Sequence, residues 1–160
     1  MSRLFKRACV CMFAVVMLAK PVYAQTAARI VLQVDNPVMY VDGVGRPIDG
    51  RETTPKIVDG RVVAPVRPVV DAIGGSLLWD SDLLLLTIRD YLEENEIILK
   101  INSLDSVVNA RTGPQLYVAP VLLDDMTLVP IVFVARNLGF EVEWDDATRT
   151  MIITKETESE

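Results

Sequence analysis

APVRPVVDAIGGSLLWD, residues 64–80, holds the transition from which the rest of the chain is read. Pro65 ends strand pairing and can open a helix, in which Val66, Val69, Val70 and Ile73 fall on one face. Pro68 sits in the first turn, where its missing N–H costs little. Gly74-Gly75 then supplies a left-handed stop. Beyond it, residues 77–79 and 83–89 read as strands joined at Asp80-Ser81-Asp82, whose side chains favour tight turns. The run 83–86 is too apolar for an exposed strand, so it is expected to be central or to cover a helix. On the N-terminal side, 56–58 and 62–64 are β-rich runs around Asp59-Gly60, a pair suited to the positive φ angles of a two-residue hairpin.

The same order returns at 129–145 as VPIVFVARNLGFEVEWD. Displacing the sequence by 65 residues sets Pro55 on Pro120, Asp59 on Asp124, Pro65 on Pro130, Gly74 on Gly139, Trp79 on Trp144 and Asp80 on Asp145, with no gap. The chain has two tryptophans, and both fall in this phase. The second copy predicts a hairpin of 121–123 with 127–129, a helix over 130–138 stopped by Gly139, and strands over 141–144 and 149–154. Val142 and Trp144 alternate with Glu141 and Glu143, which predicts one buried and one wet face. Residues 30–34 with 38–41, and 96–101 with 106–109, place a further hairpin before each copy. The expected fold class is α+β: mostly antiparallel β-sheet with two short helices, in two tandem copies of a hairpin-helix-hairpin unit, about 38–89 and 106–154, sharing a core.

Composition narrows the chemistry. With no histidine among 160 residues there is no imidazole base, no Ser-His-Asp or Cys-His nucleophile and no imidazole metal site. Cys9 and Cys11 both lie near the start, so no disulfide framework crosses the body. Arg3, Lys6 and Arg7 precede an apolar run over 8–19 and then Val22-Tyr23-Ala24, the pattern of a secretory signal peptide cleaved after Ala24. That run is shorter than the roughly 20 residues a membrane span needs. The expected organisation is a signal peptide over 1–24, a folded region over 25–154 and a polar tail over 155–160. Cleavage removes Arg3, Lys6, Arg7 and Lys20 and no acid, taking the net charge from −6 to −10. So acidic a surface repels phosphate backbones and anionic headgroups, and neither nucleic-acid binding nor stable membrane insertion after cleavage is expected.

The paired motifs at 64–80 and 129–145, each a Pro-initiated helix ending in Gly followed by a Trp-Asp turn, resemble the copper amine oxidase N-terminal-like (stalk) domain over about residues 30–154. The resemblance implies a small antiparallel sheet twisted around a helix, used as a module of exported bacterial proteins. It is a likeness to the stalk and not to the catalytic part of an amine oxidase, whose copper is held by histidines that this chain lacks. Tyr40, Tyr91 and Tyr117 likewise have no ligands of that kind around them. The family's helix begins Pro, apolar, Arg, with Glu four residues later. Arg67 and Asp71 keep a version of that pair, whereas the second copy has Val132 and Arg136. Arg67 marks a ligand contact or else pairs with Asp71 or Asp80 to fix the helix against the turn. The second reading is preferred, since exposed pairs of this spacing are common and contribute about 0.3–0.5 kcal/mol.

Arg67, Asp71, Trp79, Asp80, Trp144 and Asp145 are thus the candidates for structural or ligand contact. The tryptophans are read as core, the alternative being stacking platforms for a wall saccharide. Asp80 with Asp82, Asp124 with Asp125, and Asp145 with Asp146 are read as turn residues before calcium ligands, since no D-x-[DN]-x-[DN]-G loop is present. Glu93, Glu94 and Glu96 are read as a solvated loop and not as a glycosidase pair. No catalytic residue, cofactor or metal is expected. The expected function is a non-enzymatic exported cell-envelope module that binds a cell-wall polymer or envelope protein or acts as a spacer, with homodimerisation open to it. The alternatives are a carboxylate-dependent hydrolase of envelope material and a calcium-dependent adhesion domain.

Overall fold

The computed structural model describes residues 29–90 and 94–155. Residues 1–28, which include the segment read as a signal peptide with Cys9 and Cys11, together with residues 91–93 (Tyr91 and Glu93 among them) and 156–160, lie outside the described residues.

The chain opens with a meander of β1 (Arg29–Gln33), β2 (Val38–Val41) and β3 (Val44–Pro47). The hairpin β4 (Lys56–Val58) and β5 (Arg61–Pro65) leads into α1 (Val66–Ala72), then β6 (Ser76–Asp80) and β7 (Leu85–Asp90). A second meander follows, β8 (Asn95–Lys100), β9 (Ser106–Val108) and β10 (Arg111–Thr112). The hairpin β11 (Val121–Leu123) and β12 (Met126–Pro130), α2 (Ile131–Asn137), β13 (Glu141–Asp145) and β14 (Thr150–Thr154) complete it. Every strand pair is antiparallel, so the fold is α+β with mostly antiparallel sheet and two short helices. From β4 to β6, each element recurs 65 residues later at the same length, as β11, β12, α2 and β13.

Local chemistry accounts for the turns and helix ends. Asp59 and Gly60 (φ 47° and 74°) and Asp124 and Asp125 (φ 49° and 62°) both take left-handed angles, the geometry that matches the twist of a two-residue hairpin. Helix α1 ends with Gly74 at φ 73°, its N–H donating to Asp71 O, while Gly75 N–H donates to Val70 O at 3.0 Å. Helix α2 ends the same way on Gly139 at φ 83°, with Phe140 N–H donating to Ala135 O at 3.0 Å. Both are Schellman closures, in which the residue past the left-handed one reaches back to the last turn.

The strands form three sheets, ordered β13-β14-β1-β2-β3, β10-β9-β8-β7-β6 and β11-β12-β5-β4. Each sheet holds strands from both halves of the chain. β14 pairs with β1, which sets Ile30 opposite Ile153 and Leu32 opposite Met151. β7 pairs with β8, which sets Leu86 opposite Leu99 and Ile88 opposite Ile97. β5 pairs with β12 around Ala64 and Val129. These side chains are all buried and, with Val70 and Ile73 of the first helical segment and Val134 and Leu138 of the second, belong to one continuous core. Each such large apolar side chain contributes roughly 1.5–3 kcal/mol when fully buried.

Pro65 is the last paired residue of β5, opposite Leu128, and also the N-cap of α1, so the strand ends and the helix opens on it. Three expectations are corrected, on Gly75, on Leu83 with Leu84 and on the two tryptophans, and two strands have no forecast in the sequence. Gly75 is not itself left-handed, although its N–H completes the closure on Gly74; a Cβ there would lie 2.7 Å from Arg89 O, so the residue serves close approach of β7. Leu83 and Leu84 are exposed and belong to the turn, with Leu84 at φ 54°, and only from Leu85 does the run enter β7. Strands β3 and β10, rich in Gly, Arg and Thr, carry no alternation that could announce them. Finally, Trp79 and Trp144 are not core: they remain 38% and 41% exposed, because β6 and β13 are edge strands and no further layer covers their ends.

Candidate functional site

Two grooves flank the helices, and each is built from both ends of the chain. The first, about 460 Å³, is lined by Arg67, Pro68 and Asp71 of α1 and by Leu77 and Trp79 of β6. Its opposite wall is the β11–β12 hairpin, through Leu122, Asp125 and Met126, with Arg46 and Asp49 at one end. The second, about 710 Å³, is lined by Val132, Phe133, Arg136 and Asn137 along α2 and by Val142 and Trp144 of β13. The β4–β5 hairpin walls it through Ile57, Gly60 and Arg61, and Tyr117 and Asp146 complete the rim. The wall residues of one groove are offset by 65 from those of the other, as in Asp71 and Arg136, Trp79 and Trp144, or Leu122 and Ile57. Volumes of this size fall within the range of small-ligand sites.

The structure therefore gathers Arg67, Asp71 and Trp79 in the first groove and places Trp144 in the second. Asp80 and Asp145 line neither groove. Asp80 Oδ1 accepts the N–H groups of Asp82 and Leu83 at 3.0 and 2.9 Å. Asp145 Oδ1 accepts those of Ala147 and Thr148, and its Oδ2 accepts the Thr148 hydroxyl at 2.7 Å. That hydroxyl, against opposing burial and with help from the two N–H groups, holds the Asp145 carboxyl below its usual pKa. Both carboxylates are thus engaged in closing the turns. Among the described residues no three His, Cys, Asp or Glu side chains converge where a metal could sit. Arg67 forms no ion pair with Asp71 or Asp80, so the pairing preferred from sequence is replaced by a guanidinium facing the groove.

Charge separates the two sites. Arg46 and Arg67 share the first with Asp49, Asp71 and Asp125, whereas Arg61 and Arg136 share the second with Asp146 alone. Burial pushes the Asp49 carboxyl up, but hydrogen bonds from Thr53 and the Arg51 N–H, with the Arg51 charge, hold it below the ordinary carboxylate value. In the second groove the Trp144 indole N–H donates to Asp146 at 3.1 Å, which fixes the ring. The Arg61 guanidinium stacks on Tyr117, 4.5 Å from the ring centroid. Asn137 donates its amide to Phe133 O at 2.8 Å. Tyr117, Phe133 and Arg61 escaped the sequence reading of the site. Tyr117 lies in an irregular segment with no periodicity, and Arg61 follows a turn that said nothing about the helix it faces.

A family model described as "Copper amine oxidase N-terminal domain" matches residues 40–153. No curated protein matches the chain.

Proposed function

From the premise that this chain belongs to the copper amine oxidase N-terminal domain family, whose domain is a non-catalytic, stalk-like module, we propose that it is a non-enzymatic exported module that binds a cell-envelope component through the grooves beside its helices. The single observation that carries this reading is the half-exposed tryptophan in each groove, held between a helix and the hairpin from the other end of the chain. A large aromatic face left open at the rim of a concave site is a binding feature and adds little to the fold. The leader-like residues 1–24 and the absence of cysteine from 25–154 support export to a place where the core alone must hold the fold. The 65-residue offset of equal-length elements supports two copies of one unit that exchange hairpins across the pairing of β5 with β12. No cofactor is assigned.

The test is cosedimentation of the purified protein with isolated cell-wall sacculi and with envelope extract, in low and in high salt. Retention at low salt is expected; absence from both pellets at both salt concentrations removes the binding reading and leaves the spacer role.

A further inference from the structure

Resting on the binding role just proposed, we infer that the second groove takes a saccharide chain of the cell wall that carries carboxylate groups. Aromatic side chains from three separate elements meet there: Tyr117 from the segment before β11, Phe133 from α2 and Trp144 from β13. Tyr117 is 79% exposed and Trp144 41%, so two broad faces stand open on one cavity. Flat apolar faces with a few fixed polar groups suit ligands whose own rings have an apolar side and a hydroxylated rim.

The charges choose among such ligands. The chain carries a net −6, yet this groove presents two guanidinium groups against one carboxylate. Among the described residues, neither Arg61 nor Arg136 is held in an ion pair with a carboxylate. A guanidinium left without its anion beside an aromatic platform is complementary to an incoming carboxylate, which it can grip with two parallel hydrogen bonds. The Asn137 side-chain oxygen, whose amide nitrogen is spent on Phe133 O, supplies an acceptor for a hydroxyl. Asp146 is engaged with the Trp144 indole and adds the second acceptor.

The first groove is the internal contrast. It has the same frame and a tryptophan at the same place, but three carboxylates against two arginines, and an acidic saccharide gains nothing there. An acidic peptide added as an extra strand is disfavoured in the second groove as well. The open edge is β13, whose Glu141, Glu143 and Asp145 would stand against it, and like charges across a strand pair are destabilising.

Isothermal titration of the purified protein with the disaccharide N-acetylglucosaminyl-N-acetylmuramic acid, and with chitobiose, which lacks the carboxylate, tests the inference. Saturable binding of the first and at least about tenfold weaker binding of the second are expected, as one lost charge-assisted contact implies. Arg136→Gln should weaken the acidic disaccharide by a similar factor, and Arg111→Gln, an equal charge change on β10 away from both grooves, should leave it unchanged. Equal affinity for the two disaccharides, or an Arg136→Gln protein that binds like the wild type, overturns the inference. Tighter binding of heptaglutamate or tetragalacturonate overturns the assignment to a wall saccharide. Retention on sacculi that Arg136→Gln does not alter sinks the groove assignment while the envelope role stands; no retention of the wild type sinks the envelope role itself.

Discussion

Separating the chain between its two ends should abolish the fold of each piece, and the size of the effect follows from which strands pair. Expressed alone, residues 29–90 lose the partner of β7 along six positions, the partner of β1 along five and the partner of β5 along three. Ile30, Leu32, Leu86 and Ile88, all at most 2% exposed, then face water where Ile153, Met151, Leu99 and Ile97 stood. Full burial of such a side chain contributes roughly 1.5–3 kcal/mol. If each loses half of that, the four together lose roughly 3–6 kcal/mol, before any unpaired backbone group is counted. A domain of this size has only about 5–15 kcal/mol in total. The fragment should therefore show no cooperative thermal transition by circular dichroism and a collapsed amide proton dispersion by NMR as a monomer, and mixing it with residues 94–155 should restore both. A monomeric fragment, verified by sedimentation, that melts cooperatively on its own would refute the reasoning.

Gly75→Ala should destabilise by about 1–3 kcal/mol in urea unfolding, because the new Cβ meets Arg89 O at 2.7 Å and Val70 Cγ1 at 3.1 Å. Gly139→Ala meets nothing within 4 Å and should cost about 1–2 kcal/mol from its φ of 83° alone; a larger loss at Gly139 than at Gly75 would reverse the assignment. Trp79→Ala and Trp144→Ala should each cost about 1–2 kcal/mol, short of the ~3–5 kcal/mol of an enclosed tryptophan, since an open groove leaves no cavity behind; a loss of 4 kcal/mol or more would return them to the core. In acid, Asp35, held low chiefly by its hydrogen bond from Lys56, acts with Asp49 and Asp145, whose pKa values are also lowered in the fold. Their stabilisation is complete above the unfolded carboxylate pKa of about 3.9 and is lost as pH falls through the lower folded values. The chain has no histidine, so the melting temperature should be level from about pH 5 to 8 and fall below about pH 4, less steeply in Asp35→Asn; a level profile down to about pH 2.5 would contradict this.

Much of the architecture was legible because it is local. Gly74 and Gly139 announced helix ends that only a residue free to adopt positive φ closes well, and Asp80 and Asp145 announced turns that their own carboxylates cap. Position within a sheet was not legible. Nothing in EVEWD distinguishes an edge strand from a covered one, so alternation assigned Trp144 to the core when the sheet order leaves it at a rim. The grooves were hidden for the same reason. Arg61 and Arg136 are 75 positions apart in sequence, and only the packing of the β4–β5 hairpin beside α2 brings them to one cavity.

The 65-residue comparison also divides the residues by the work they do. Positions that close local structure keep their type across the offset: Pro65 and Pro130, Gly74 and Gly139, Asp80 and Asp145. Charged positions that face the grooves do not, since Arg67 stands against Val132, Asp71 against Arg136, and Asp125 against Gly60, while the groove tryptophans Trp79 and Trp144 are kept. The division follows from energetics. An exposed charged groove residue carries little of the fold, and its replacement stays within about 0.5 kcal/mol, whereas a lost helix stop or turn cap costs ~1 kcal/mol or more. One frame can therefore hold two sites whose charges differ in sign without compromising the core they share. Two identical grooves would make a bivalent receptor for one ligand. These two, one with an acidic excess and one with an arginine excess, give the module two chemically distinct faces on a single shared core.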